Sequence, residues 1–164
     1  MAKKEIKSGI MPSKNALRNL FWAVSLLGTP FFYIPATTYF LKVTPKLAIS
    51  LLFILVSNEI VCGAVKFIYP KERPMPMPRN NLYQKYLAGS FPSVHTSRIT
   101  AFSTAVFSFY TSNISFLIAL LVITCVGYSR IYLKKHYFID VLAGFLIGAV
   151  ISILALIMQN YFVY

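Results

Sequence analysis

The stretch Ile99-TAFSTAVFSFYTSNISFLIALLVITCVGY-Ser129 carries no charged residue over 31 positions. A helix crosses the hydrocarbon core of a bilayer in about 20 residues, so this run is too long for a single crossing. The polar cluster Thr111-Ser112-Asn113-Ile114-Ser115 divides it. Small polar residues between apolar runs are turn chemistry. The pattern predicts a helical hairpin, with one span over about 94–110 and the next over about 116–133.

Three more stretches read the same way. Residues 19–41 are uncharged for 23 positions. That is too long for the apolar region of a signal peptide and lacks an obvious small-residue cleavage site, so we read a retained span. Residues 47–69 are apolar apart from Glu59 and Lys66. From His136 onward nothing after Asp140 is charged. The expected fold class is therefore all-α: a polytopic transmembrane helical bundle of about five spans, or six if one more is hidden. The expected organisation is a basic N-terminal tail over 1–18, with Lys3, Lys4, Lys7, Lys14 and Arg18, followed by one transmembrane domain over 19–164.

Composition agrees. Of 164 residues 57% are hydrophobic and 12% are charged, with a mean hydropathy of +0.66. A soluble domain carries about 25% charged residues. The formal charge is +12, which on a soluble chain would raise nucleic acid as a partner. No nucleic-acid-binding motif accompanies it here. On so apolar a chain, anionic lipid headgroups and lipid phosphates are the expected partners. Cys62 and Cys125 lie in apolar stretches without metal-ligand spacing and read as small buried hydrophobes.

Between the second and third spans lies a loop, 70–92, with prolines at 70, 74, 76 and 78. Its irregular backbone cannot sit unpaired in hydrocarbon. Five spans put this loop, the start of the third span and the junction of the fourth and fifth on one membrane face. Residues 42–46 and 111–115 fall on the other.

Ionisable residues at span ends are functional candidates by default. On the loop face they are Lys66, Arg73, His95, Arg98, Arg130, His136 and Asp140. Both histidines of the chain and its single aspartate are among them. His136 and Asp140 are four apart and project from one side of a helix, so the carboxylate can orient the imidazole as a nucleophile. Ser90-Phe-Pro-Ser-Val-His95 reads as a helix start capped by Ser90, with the amides of Ser93, Val94 and His95 pointing outward to an anion. His95 stands where it can protonate a leaving oxygen. Lys66, Arg73 and Arg130 suit phosphate. Lys71, Arg79, Lys85, Lys134 and Lys135 read as interfacial anchors. Glu59 needs a partner, for which Arg98 is the candidate, and the pair reads as structural.

Taken together, Lys66-FIYPKE-Arg73-Pro74, Pro92-Ser93-Val94-His95 and Ser129-Arg130-IYLKK-His136-YFI-Asp140 resemble the three-part signature of the type 2 phosphatidic acid phosphatase family. The parts come in that family's order, separated by 17 and 33 residues, and span 66–140; the first 65 residues carry no matching motif. Val94 stands where the family usually has glycine, which bears on the tightness of the phosphate fit.

The resemblance implies a membrane lipid phosphatase working without a metal or other cofactor. His136 would form a phosphohistidine, Asp140 would hold His136, and His95 would serve as acid and then base. Lys66, Arg73, Ser93, Arg130 and the Val94 backbone would bind phosphoryl oxygens. It leaves polyprenyl diphosphate, phosphatidylglycerophosphate, phosphatidate and the 1-phosphate of lipid A open as substrates. It also implies a multi-pass cell-membrane protein with an extracytoplasmic site. A five-span count with the positive-inside rule points to the cytoplasm instead. The competing reading is a catalytically inactive protein that binds or moves lipid phosphates. Oligomeric state is not legible.

Overall fold

A computed structural model of the chain describes residues 14–162, so most of the basic tail, 1–13, lies outside the described residues. Those described form helices joined by loops, with no strand: α1 (Lys14–Leu26), α2 (Pro30–Val43), α3 (Pro45–Ile68), α4 (Leu82–Ala88), α5 (Val94–Phe109), α6 (Asn113–Tyr132) and α7 (Phe138–Phe162).

Three of these, α3, α6 and α7, are long and apolar enough to cross a membrane. The expected first span is broken. α1 and α2 meet at a bend of 44°, at Gly28-Thr29-Pro30. Proline has no amide hydrogen to continue a helix but suits a first turn, and Pro30 opens α2. Gly28 belongs to the break for a second reason: a Cβ there would fall within 3.0 Å of the His95 side chain. The bent pair passes the same test of length and apolarity when taken together, giving up to four spans.

The third expected span is α5. At 16 residues and 1.5 Å per residue it is about 24 Å long, short of the core thickness. Its sequence, VHTSRITAFSTAVFSF, is also the least apolar of the inner helices. Both facts have one cause: α5 is the centre of the bundle and packs on α7, α6 and α3. Thr96, Ser97, Arg98, Thr100 and Ser103 are buried against other helices, where Ser97 Oγ donates to Asn58 Oδ1 at 2.6 Å and Thr96 Oγ1 pairs with Ser93 Oγ at 2.9 Å, partners that lipid cannot supply.

The closest approach is between α5 and α7. A Cβ on Gly144 or Gly148 would fall well inside 3.0 Å of the carbonyl oxygen of Ser93 or Ser97, respectively. The four-residue spacing places both glycines on one face of α7, so its backbone lies directly on α5. Below this contact the apolar core gathers Leu47, Leu51, Ile54, Ala101, Ala105, Ile151 and Ala155. At the far end Ser112 and Ser115 form a reciprocal capping box that starts α6. The Thr44 and Tyr110 hydroxyls meet at 2.7 Å, so the two short connections expected on one face do lie together.

Gly148→Ala is expected to lower thermal stability in detergent by about 1–3 kcal/mol through overpacking against the Ser97 backbone. Gly63→Ala is the control. A Cβ there meets only the Tyr86 ring at 3.7 Å, so the change should be neutral or stabilise α3 by up to about 1 kcal/mol.

Candidate active site

The loop 71–92, the start of α5 and the turn between α6 and α7 converge at the opposite end from the Thr44–Tyr110 contact. They enclose a cavity of about 100 Å³ lined by Lys66, Arg73, Tyr86, Leu87, Val94, His95, Arg98 and His136. At ~30 Å³ per water, it holds a group of roughly phosphate size. Five residues expected from sequence therefore line it: Lys66, Arg73, Val94, His95 and His136. Ser93, Arg130 and Asp140 stand behind that lining. Among the described residues, no three His, Cys, Asp or Glu side chains gather as a metal site requires.

The turn that delivers His136 is built by a backbone device. Lys134 N–H donates to Ile131 O at 2.9 Å and Lys135 N–H to Arg130 O at 3.0 Å. This pair of reversed bonds closes α6 as a Schellman motif. Its left-handed position is taken by Lys134, φ 54°, where glycine is the usual residue. The His136 amide also donates to Arg130 O, at 3.2 Å, so these two residues are tied through the main chain.

His136 is buried, and its Nδ1–H donates to the Ser90 carbonyl at 2.7 Å. That bond fixes the tautomer and leaves the Nε2 lone pair free to act. Asp140 does not hold the ring directly: its Oδ2 is 3.9 Å from Nδ1, too far for a hydrogen bond. Asp140 is itself fully buried. It accepts from Lys71 Nζ at 2.7 Å, from the Tyr137 amide at 2.9 Å and from Ser90 Oγ. The expected shared helix face is not formed: α7 begins at Phe138, so His136 lies in the turn before it, and Ser90 is inserted between the two side chains.

The expected helix start shifts as well. The residue capping α5 is Ser93, not Ser90, and Pro92 precedes the helix. The polar groups of Ser90 are engaged elsewhere: its amide donates to Lys71 O at 2.8 Å, and its hydroxyl and carbonyl serve Asp140 and His136. Of the three amides expected to face an anion, that of Ser93 donates instead to Asp140 O at 2.9 Å. Val94 and His95 remain at the N-terminus of α5, where the helix supplies no acceptor. The Ser93 hydroxyl pairs with Thr96 Oγ1 at 2.9 Å.

The cations are held in place. Lys66 Nζ donates to Gly89 O at 2.6 Å and lies 5.2 Å from the Tyr86 ring centre. Arg130 donates from Nη1 to Ser25 Oγ. The Nε–H groups of Arg73 and Arg130 are buried and have no hydrogen-bond partner. Two residues read as interfacial anchors are structural instead. Lys71 pairs with Asp140, and Arg79 donates to Pro70 O and Lys71 O at 3.0 and 3.2 Å. Lys71 lies inside the first motif, two residues before Arg73, but composition alone cannot distinguish its ammonium from a snorkelling one.

Glu59 does find Arg98: Nε donates to its Oε1, while Tyr86 O–H donates to Oε2 at 2.9 Å. Arg98 also donates to Gly28 O at 3.2 Å, so this pair links α3, α4 and α5 to the α1–α2 break.

The family described as the PAP2 superfamily matches residues 47–164. A Sulfolobus acidocaldarius protein named undecaprenyl-diphosphatase is 29% identical over 149 residues, 88% of this chain and 71% of that one. Among solved structures, Aquifex aeolicus LpxE superposes with a TM-score of 0.75 at 24% identity, covering 85% of each chain. A Bacillus subtilis PAP2-type phosphatidylglycerolphosphate phosphatase superposes with a TM-score of 0.71 at 20% identity, covering 89% of this chain and 78% of that one. These two likenesses speak to the fold.

Lys134→Gly relieves the left-handed strain on a residue with a Cβ. It is expected to raise thermal stability by up to about 1 kcal/mol without moving His136, read as a higher unfolding midpoint with unchanged turnover.

Proposed function

Since the chain belongs to the PAP2 superfamily and is thereby a phosphoric ester hydrolase, we propose that it removes phosphate from a membrane lipid through a phosphohistidine on His136. The observation that carries this reading is the pair of buried, unpartnered Nε–H groups on Arg73 and Arg130 beside a cavity lined by Lys66 and both histidines. A buried donor without an acceptor is costly. A phosphoryl group supplies the acceptors, and fixed cations stabilise the charge that spreads over its oxygens during transfer.

The geometry supports the following steps. Nδ1–H of His136 is committed to Ser90 O, so Nε2 attacks phosphorus. The bond from phosphorus to the leaving oxygen breaks, and His95 gives that oxygen a proton. A water then attacks the phosphohistidine, His95 takes a proton from it, and the N–P bond breaks to release phosphate. Lys66, Arg73, Arg130 and the amides at the start of α5, Val94 among them, bind the oxygens. Ser93 stands at the N-cap position of that helix with its hydroxyl paired to Thr96, and Asp140 contributes by anchoring the group around His136. No step calls on a metal.

The substrate we favour is a polyprenyl diphosphate, because the relative at 29% identity is named for that activity. Phosphatidylglycerophosphate, phosphatidate and the lipid A 1-phosphate are the comparison substrates. We further propose one transmembrane domain in a multi-pass membrane protein, with the site facing the extracytoplasmic side.

The test is phosphate release by the purified protein in detergent, on all four lipids, with chelator present. We expect release from polyprenyl diphosphate and a loss of at least a thousandfold in His136→Ala, on the order expected for removing a covalent nucleophile. Activity of His136→Ala near that of the wild type would overturn the mechanism. Release from none of the four lipids would favour the inactive lipid-binding reading.

The pH profile is a second test. Burial, and then the charges of Arg73, Arg130 and Lys66, hold the His136 pKa well below the ordinary imidazole value. The neutral, nucleophilic form therefore persists below about pH 6.5. The acid limb of kcat/KM is expected below that pH; a limb at or above pH 7 would contradict it.

A further inference from the structure

We propose that Lys71 and Ser90 are positioning residues of this site: Lys71 neutralises Asp140, and Ser90 carries the orientation of Asp140 to His136. The inference rests on the phosphatase reading above and adds two residues to it.

The bonds form a closed circuit. Lys71 Nζ donates to Asp140 Oδ1 at 2.7 Å. Ser90 Oγ donates to the other oxygen, Oδ2. The Ser90 amide returns to the Lys71 carbonyl at 2.8 Å, and the Ser90 carbonyl receives His136 Nδ1–H at 2.7 Å. One residue thus joins carboxylate and imidazole, its hydroxyl bonded to the first and its main-chain carbonyl to the second, and the two groups stand too far apart to bond directly. Lys71 is held from the other side as well. Its ammonium lies 4.7 Å from the Tyr137 ring centre and 6.0 Å from that of Phe91, and its carbonyl also accepts from Arg79. A headgroup-seeking lysine would point outward; this one is turned into the protein against a carboxylate with no exposure.

The circuit has an electrostatic consequence. Around His136 stand Lys66 from α3, Arg73 from the loop, Tyr86 from α4, His95 and Arg98 from α5, and Arg130 from α6, with Lys135 next to it in the chain and Asp140 of α7 at 3.9 Å. Asp140 is the only acidic group among them, and Lys71 is bonded to it. With its charge balanced, Asp140 does little to favour imidazolium in the free enzyme, so His136 stays neutral and nucleophilic. Without the ammonium, the bare carboxylate 3.9 Å away stabilises imidazolium, and the nucleophile is lost at a higher pH.

The experiment compares Lys71→Met, Lys71→Gln and Lys71→Arg in the full chain in detergent, on a lipid the wild type cleaves, with His136→Ala as blank. Lys71→Met is expected to lower kcat by about tenfold or more with KM within about threefold, because Lys71 does not line the cavity. The acid limb of kcat/KM should move up by about 0.5–1 pH unit, and Lys71→Arg should recover most of the rate. Lys71→Gln keeps a donor for Asp140 without the charge, and reads the same shift should the Met variant not fold. A kcat within twofold of wild type in Lys71→Met overturns the proposal. So does a loss with an unmoved acid limb and no rescue by arginine, the signature of a merely structural tie. Nitrogen-15 histidine NMR follows His136 without turnover, with His136→Ala assigning its signal. If the wild type cleaves no lipid, the phosphatase reading falls, and the presence or absence of the upward pKa shift in Lys71→Gln still decides the role of Lys71.

Discussion

A carboxylate with no exposure governs this end of the molecule. Burying an ionised Asp140 costs several kcal/mol unless its oxygens are fully engaged. Its side chain takes a lysine from the loop, a serine from the segment before α5 and an amide from its own helix start. Its main-chain carbonyl takes the amide of Ser93. Three segments, at 71, 90–93 and 137–140, must therefore meet at one point. Removing the side chain would leave Lys71 and the Ser90 hydroxyl without their acceptor, so the loop, the α5 cap and the His136 turn hold or fail together.

From that point the packing continues along α7. Gly144 and Gly148 lie one and two helical turns beyond Asp140, and their missing side chains let the backbone rest on Ser93 and Ser97. The same approach that brings the Ser93 amide to Asp140 thus shapes the contact of the two innermost helices. It also explains how a helix as polar as α5 is accommodated. Lipid never meets its buried hydroxyls, because α3, α6 and α7 surround them, and those three helices are the ones whose composition suits the bilayer.

What the sequence made legible follows from this division. Helices facing lipid must be apolar over their length, so hydropathy found α3, α6 and α7 to within a few residues, and the polar cluster at 111–115 located the hairpin. Hydropathy also marked α5, but could not say that a short helix with buried serines is the centre of the bundle. The break at Gly28-Thr29-Pro30 was hidden because the residues around it are as apolar as the helices it separates. At the site, spacing correctly gathered Lys66, Arg73, His95 and His136, and pairing logic matched Glu59 with Arg98. Spacing could not tell that the i, i+4 pair of His136 and Asp140 is mediated. It fixes a shared face only where both residues are helical, and α7 begins at Phe138, past His136. Lys71 was missed because a lysine near a membrane face has an ordinary explanation, and only its contact with a buried acid overrides that.

The charge arrangement bears on how such a site would work. Lys66, Arg73, Arg98 and Arg130 surround or back the cavity, and Glu59 and Asp140 are already paired with Arg98 and Lys71. The region is left with an excess of positive charge and with buried guanidinium N–H groups lacking acceptors. Cations fixed in this way need no reorganisation when phosphate arrives, and in a low-dielectric site they interact with it more strongly than in water. The same excess acts on the histidines. It favours a neutral His136, whereas in the proposed mechanism the transferring phosphoryl group would bring the negative charge that accommodates the positive charge His136 would acquire as an N–P bond formed. Binding and activation would then be one electrostatic event. On the proposed mechanism the cation cluster would suppress imidazolium until the anion is present, and the anion would offset the cluster when the bond is made.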